Sequence, residues 1–165
     1  MATLKDYLDE LKQESIVTRK MLERVPVDKK DWQPHVKSMT ISQLAGHIAE
    51  LPSWIAMAFT TTELDFETAN YAPPVWNTNA ELLAIFEENF KAGKSHLIDA
   101  KEEDLLPAWY LKSGGKILDT LTKGGLVRVA LSQTIHHRAQ LGVYLRLLDI
   151  PIPGSYGPSA DEQSF

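Results

Sequence analysis

Apolar residues recur three or four positions apart in four separate stretches of this chain, a spacing that puts them on one face of a helix each time. In the first, over about residues 3–24, Leu4, Leu8, Leu11, Ser15, Thr18, Leu22 and Val25 share a face, and Pro26 ends the pattern. The second begins near Thr40, a candidate N-cap, and carries Leu44, His47, Ile48, Leu51, Trp54, Ile55 and Ala58 along one stripe. Pro52 is expected to remove one backbone hydrogen bond there and to kink the axis. The third starts from a cap at Asn77 or Thr78 and buries Leu82, Leu83, Phe86, Phe90 and Leu97. The fourth starts between Lys123 and Leu126 and runs to about Leu148, after which Pro151 and Pro153 force an extended exit.

Four such segments predict an all-α fold, an antiparallel four-helix bundle in one domain over residues 1–165. The connections are longer than minimal hairpins, so one crossover is compatible with the pattern. The stretch from Thr60 to Trp76 ends in "YAPPVW", which reads as a structured loop. In "AWYLKSGGKILDTLTKGG" the helical period lapses around Gly114-Gly115, and a short extended excursion or hairpin is expected before the last helix.

Composition narrows the function classes. There are no cysteines, so disulfides, thiolate nucleophiles and Cys-based metal sites are excluded, and any metal must be held by His, carboxylates or amides. A formal charge of -5 without a basic stripe argues against nucleic acid as a partner. No apolar run approaches the length of a membrane span, and the acidic, amphipathic N-terminus is unlike a secretory signal, so a cytoplasmic location and no membrane partner are expected. A Ser-based hydrolase lacks its Gly-x-Ser-x-Gly elbow.

The chemistry concentrates in "SQTIHHRAQ". On the fourth helix Gln133 and His137 are one turn apart, and the periodicity places both in the stripe of Leu126, Ala130, Thr134, Leu141, Tyr144 and Leu148, aimed into the bundle. His136 lies on the flank of that stripe. His47 repeats the situation on the second helix. Three inward polar side chains need partners, because burying each without one costs about 1–3 kcal/mol. A metal ion reached from two helices is one solution; hydrogen bonds to Tyr, Gln or a carbonyl are the other. Glu50, three residues after His47, reads as a solvated or capping carboxylate, as a supporting partner of that histidine, or as an additional metal ligand. His35 and His96 read as solvated, and Trp54 and Tyr144 either as core or as pocket lining.

Two segments carry a family resemblance. "HHRAQLGVYLRLLDIPIPGSYGPSADE", residues 136–162, resembles the C-terminal signature of the DinB-like, or YfiT-like, superfamily of metal-dependent bundle proteins, which is distinct from the DNA polymerase of similar name. "LAGHIAELPSW", residues 44–54, is similar to the segment giving that family its first ligand. The resemblance implies a four-helix bundle of the DinB/YfiT-like type. It also implies a divalent ion, zinc or nickel, held by His47 together with the residues at 133 and 137, that is, Gln133 and His137. Position 133 is usually His in the family, and Glu in its thiol-dependent isomerase branch. The neutral amide of Gln133 is a poorer donor than either, so weak metal binding is expected.

From this follow two functional expectations. The first is a metal-dependent enzyme of thiol-transferase or hydrolase type acting on a small-molecule substrate, with a low-molecular-weight thiol as a further cofactor. The second is a non-catalytic, stress-linked bundle with a degenerate metal site, acting as a binding or dimer-forming protein, with loop aromatics Trp76, Trp109 or Tyr110 offering a partner face. The family resemblance implies a homodimer in either case.

Overall fold

The computed structural model describes residues 2–69 and 72–163. Among them, α1 (Leu4–Leu22), α2 (Ile41–Thr60), α3 (Asn79–Asp99) and α4 (Lys123–Leu147) form a bundle, and β1 (Glu63–Asp65), β2 (Ala108–Ser113) and β3 (Lys116–Thr122) form a small sheet beside it. The helix starts follow from local chemistry. Thr3, Thr40, Thr78 and Thr122 each accept a hydrogen bond from a first-turn amide, and Thr3 and Thr40 complete capping boxes with Asp6 and Gln43. The helix α2 continues through Pro52. At its other end α4 stops before the prolines: Asp149 takes the left-handed conformation (φ 57°) and the Ile150 amide returns to the Leu145 carbonyl.

Helix directions depart from an antiparallel bundle. Each of α1 and α2 packs on both α3 and α4. Tyr7 and Glu10 meet Arg128 while Glu14 and Thr18 meet Arg138, so α1 and α4 run parallel. Asn89 donates to the Ala49 carbonyl and Gly93 lies against Pro52 and Ile55, so α2 and α3 are parallel too. The α1/α3 pair (Arg19 with Glu87, Leu22 with Asn79) and the α2/α4 pair (His47 with His137, Phe59 with Lys123) are antiparallel. Of the three connections only that from α2 to α3 joins parallel helices, and it has to return along the bundle before α3 begins.

One apolar cluster gathers Leu22, Ile41, Leu44, Ile48, Trp76, Phe86 and Leu141, and a second gathers Leu4, Leu11, Ile55, Leu97, Trp109, Leu126 and Leu131. Between them on α4 sit the buried Thr134 and Arg138. Two of the expected loop aromatics belong to these cores: Trp76 and Trp109 are 1% and 0% exposed, each donating its indole N–H, to the Ser42 carbonyl and the Thr61 hydroxyl respectively, and they offer no partner face. Tyr110, on β2, is half-buried.

The hairpin expected around Gly114-Gly115 is present as β2 and β3, which pair Ser113 with Lys116 across the two glycines. Both glycines have positive φ (58° and 77°), the requirement of a tight two-residue hairpin turn. The carboxylate of Asp65 accepts hydrogen bonds from both their amides, and these bonds, that of Gly115 foremost, hold Asp65 below the usual carboxylate pKa. This bond fastens β1, which pairs in parallel with β2, to the turn. The loop expected from Thr60 to Trp76 therefore contains a strand; Tyr71 of its "YAPPVW" motif lies outside the described residues.

The segment after α4 does not leave in an extended path. It doubles back, with Asp161 accepting from the Ile152 amide and pairing with Arg146, and Glu162 pairing with Arg24. Among the described residues no helix is long and apolar enough to cross a membrane.

Candidate metal centre

The buried side of α2 is Leu44, Ala45, Ile48, Leu51, Ile55 and Ala58. His47 and Trp54, which the spacing placed in this stripe, stand at its edge; the His47 side chain is 18% exposed. Their rings meet edge to face, with centroids 6.2 Å apart. One helical turn onward from His47, Glu50 comes round to the same side. The His47 Nδ1–H donates to its carboxylate at 2.7 Å. Glu50 is 7% exposed and bonded to His47, which sets aside the solvated or capping carboxylate among its sequence readings.

On α4 the inward line runs Leu126, Ala130, Thr134, Arg138, Leu141 and Tyr144. Arg138 thus holds the central place that the apolar spacing assigned to His137, and His137 is turned about one residue's rotation toward α2, half-buried. The reason is the polar layer at mid-bundle: Arg138 reaches Glu14 and Thr18 of α1, and satisfying it fixes the rotation of the whole helix. Gln133 is half-buried on the same side as His137, and His136 is exposed.

This rotation brings the histidines of the two helices together. The His47 and His137 rings pack edge to face with centroids 4.8 Å apart, and the His136 ring lies 4.9 Å beyond His137. The His137 Nδ1 bonds the Gln140 side-chain oxygen at 2.8 Å. Burial lowers the pKa of His137 below the ordinary imidazole value; the Gln140 bond opposes this, while His47 and His136 add to it. The neutral ring that results is the form able to bind a metal.

The pair stands between two openings. On one side His47, Glu50 and Trp54 line a cavity of about 610 Å³ that continues to Met57, Leu64 and Phe66. On the other, His137, Gln133, His136, Ser132 and Arg128 line a shallower polar cleft. Trp54 therefore lines the cavity, whereas Tyr144 is core, edge to face with Trp32. The remaining histidines are apart: His35 is exposed and accepts from the Lys37 amide, and His96, expected to be solvated, stacks on Phe59 and bonds the Ala92 carbonyl.

The donor chemistry suits a divalent ion in part. Each imidazole uses Nδ1 in a hydrogen bond, which leaves Nε2 as the ligating nitrogen, and a carboxylate behind a histidine is the usual support of a metal ligand. Two imidazoles at zinc–nitrogen distances of about 2.0–2.1 Å have ring centroids roughly 5 Å apart, close to the separation seen. Among the described residues no group of three His, Cys, Asp or Glu side chains lies close enough to hold an ion; Gln133 shares the cleft of His137.

Sequence comparison places these features in a known context. The DinB family model matches residues 1–164. A Bacillus subtilis protein, YrdA, whose own description is "uncharacterized", is 22% identical over 160 residues, covering 97% of this chain and 92% of that one. A DinB-like protein from Bacillus cereus shares the fold at a TM-score of 0.70 and 18% identity, over 93% of this chain and 98% of that chain. A mycothiol-dependent maleylpyruvate isomerase superposes with a TM-score of 0.59 at 16% identity, over 86% of this chain and 64% of the isomerase. The structural likenesses concern the fold. With four helices in the expected order and the family model matching from end to end, the chain belongs to the DinB family.

Proposed function

We propose that this protein is a metal-dependent enzyme of thiol-transferase or hydrolase type, with a divalent ion, zinc or nickel, held between α2 and α4 by His47, His137 and the side-chain oxygen of Gln133. The observation that carries this reading is the contact of the two imidazoles across the helix pair, centroids 4.8 Å apart, with Glu50 buried behind one of them. When bound with open coordination positions, such an ion acts as a Lewis acid and lowers the pKa of a water or thiol.

The chain's own contribution is positional. Glu50 accepts the Nδ1 proton of His47 and so fixes the tautomer with its Nε2 lone pair outward. Gln140 does the same for His137, and burial keeps that ring neutral. Trp54 and Met57 line the cavity side, while Arg128, paired with Glu10, and the exposed His136 give the opposite cleft a polar rim suited to a polar thiol cofactor. The neutral donor at position 133 favours an ion that exchanges readily, and this supports the second reading, a low-affinity site in a non-catalytic bundle.

The two readings separate in one set of measurements. Protein prepared without chelator and offered zinc or nickel in excess is analysed for bound metal, its thermal stability is compared with that of His137→Ala, and turnover of a small electrophile is followed with a low-molecular-weight thiol. Metal uptake lost in His137→Ala together with turnover supports the enzyme. Metal uptake without turnover in wild type or in Gln133→His favours the degenerate site, and no uptake at all ends both.

A further inference from the structure

We infer that the site accepts an uncharged, mainly apolar, flat molecule of about the size of a two- or three-ring aromatic, carrying a hydrogen-bond donor, and that it discriminates against polyanions. This deepens the proposal above and rests on its placing the reacting centre at His47 and His137.

The cavity beside His47 measures about 610 Å³, within the range of small-molecule sites. Its lining includes Trp54, Met57, Leu64 and Phe66, an aromatic and thioether surface that adapts to flat apolar shapes. No Lys or Arg stands among the described residues that line it, so no side-chain cation of the wall offsets a substrate's negative charge. The polar end carries acceptors: the buried carboxylate of Glu50, which also bonds His47, and the side chain of Asn89, which uses an amide proton on the Ala49 carbonyl. An anion seated there is repelled by Glu50 at low local dielectric, whereas an N–H or O–H donor is welcomed. The cationic side chain nearby, Arg128, belongs to the opposite cleft, beyond the imidazole pair.

The test uses the full chain with chelator present, so that the outcome does not depend on whether the metal reading holds. N-phenyl-1-naphthylamine, neutral and carrying one N–H, is titrated and its fluorescence followed, with naphthalene-2,6-disulfonate as the dianionic competitor. Saturable binding at one site per chain is expected. Met57→Lys, which sets a cation in the apolar wall, and Ser53→Leu, which fills the cavity, should each weaken it about tenfold or more. The disulfonate should compete at least about tenfold less well than neutral 2-naphthol. Ser53→Leu carries the test if Met57→Lys fails to fold by circular dichroism. Absent binding, binding unchanged in the folded variants, or equal competition by the dianion overturns the inference.

Discussion

The guanidinium of Arg138 lies 2.6 Å from the Glu14 carboxylate, with the two side chains 3% and 7% exposed, so α4 and α1 are joined at mid-bundle by an ion pair almost closed to water. Arg138 also donates to the Glu14 carbonyl and the Thr18 hydroxyl, and to the phenol of Tyr156, which in turn donates to Glu14. Because His137 is the next residue back along α4, this cluster sets the rotation that turns the imidazole toward His47.

Removing one partner of that pair strands a buried charge. Arg138→Met is expected to destabilise the fold by about 3–5 kcal/mol, and Glu14→Gln combined with Arg138→Met by distinctly less than the two single changes added together. Urea denaturation of the four proteins checks this. Additive losses would show that the two residues do not act as a pair.

Tyr156 predicts an alkaline dependence. Burial first, and its hydrogen bond to Glu14 second, raise the phenol pKa above the ordinary 10.0. The folded chain therefore holds this proton more tightly than the unfolded chain. Its contribution is complete below the unfolded value of about 10 and is lost as pH rises through the folded value. Thermal midpoints measured upward from about pH 9 should fall more steeply in wild type than in Tyr156→Phe. Parallel curves would remove Tyr156 from the account.

Gly93 permits the close approach of α3 to α2. A Cβ there would stand 2.5 Å from the Pro52 carbonyl oxygen, a backbone atom that cannot swing aside. Gly93→Ala should cost about 1–3 kcal/mol in spite of the roughly 1 kcal/mol that alanine gains in helix propensity. A variant as stable as wild type in chemical denaturation would mean that the helices separate without penalty.

Metal affinity should respond to both supporting and ligating groups. Gln133→His, which exchanges an amide for an imidazole, is expected to tighten zinc binding by about tenfold or more. Glu50→Gln, which weakens the support behind His47, should loosen it by about 10–100-fold. Calorimetric titration reads both. Affinities insensitive to either change would place the ion elsewhere.

Helix positions were legible because caps and periodicity are local: Thr40, Thr78 and the Gly114-Gly115 turn announce themselves within a few residues. Helix direction was not, since a long connection is compatible with either sense and the deciding contacts, Glu14 with Arg138 and Asn89 with Ala49, join residues far apart in the chain. The strand Glu63–Asp65 is too short to show a pattern and exists through its pairing with Tyr110–Lys112. His47 and His137 could be singled out as a pair, but their exact facing could not. Charged residues such as Arg138 and Glu50 read as solvent-facing by type, and only their partners on α1 and in His47 draw them inward. A stripe drawn through the apolar residues alone leaves Arg138 out and centres on His137, which the fold instead holds half-buried beside α2.

The bond from Asp65 to the Gly114 and Gly115 amides has a mechanical meaning. Leu64 and Phe66, which line the cavity, flank Asp65 in sequence, and the hairpin that Asp65 grips runs without a break into the helix bearing His137. A single carboxylate thus pins the strand that lines the cavity to the hairpin leading into α4, so the wall and the helix share one anchor.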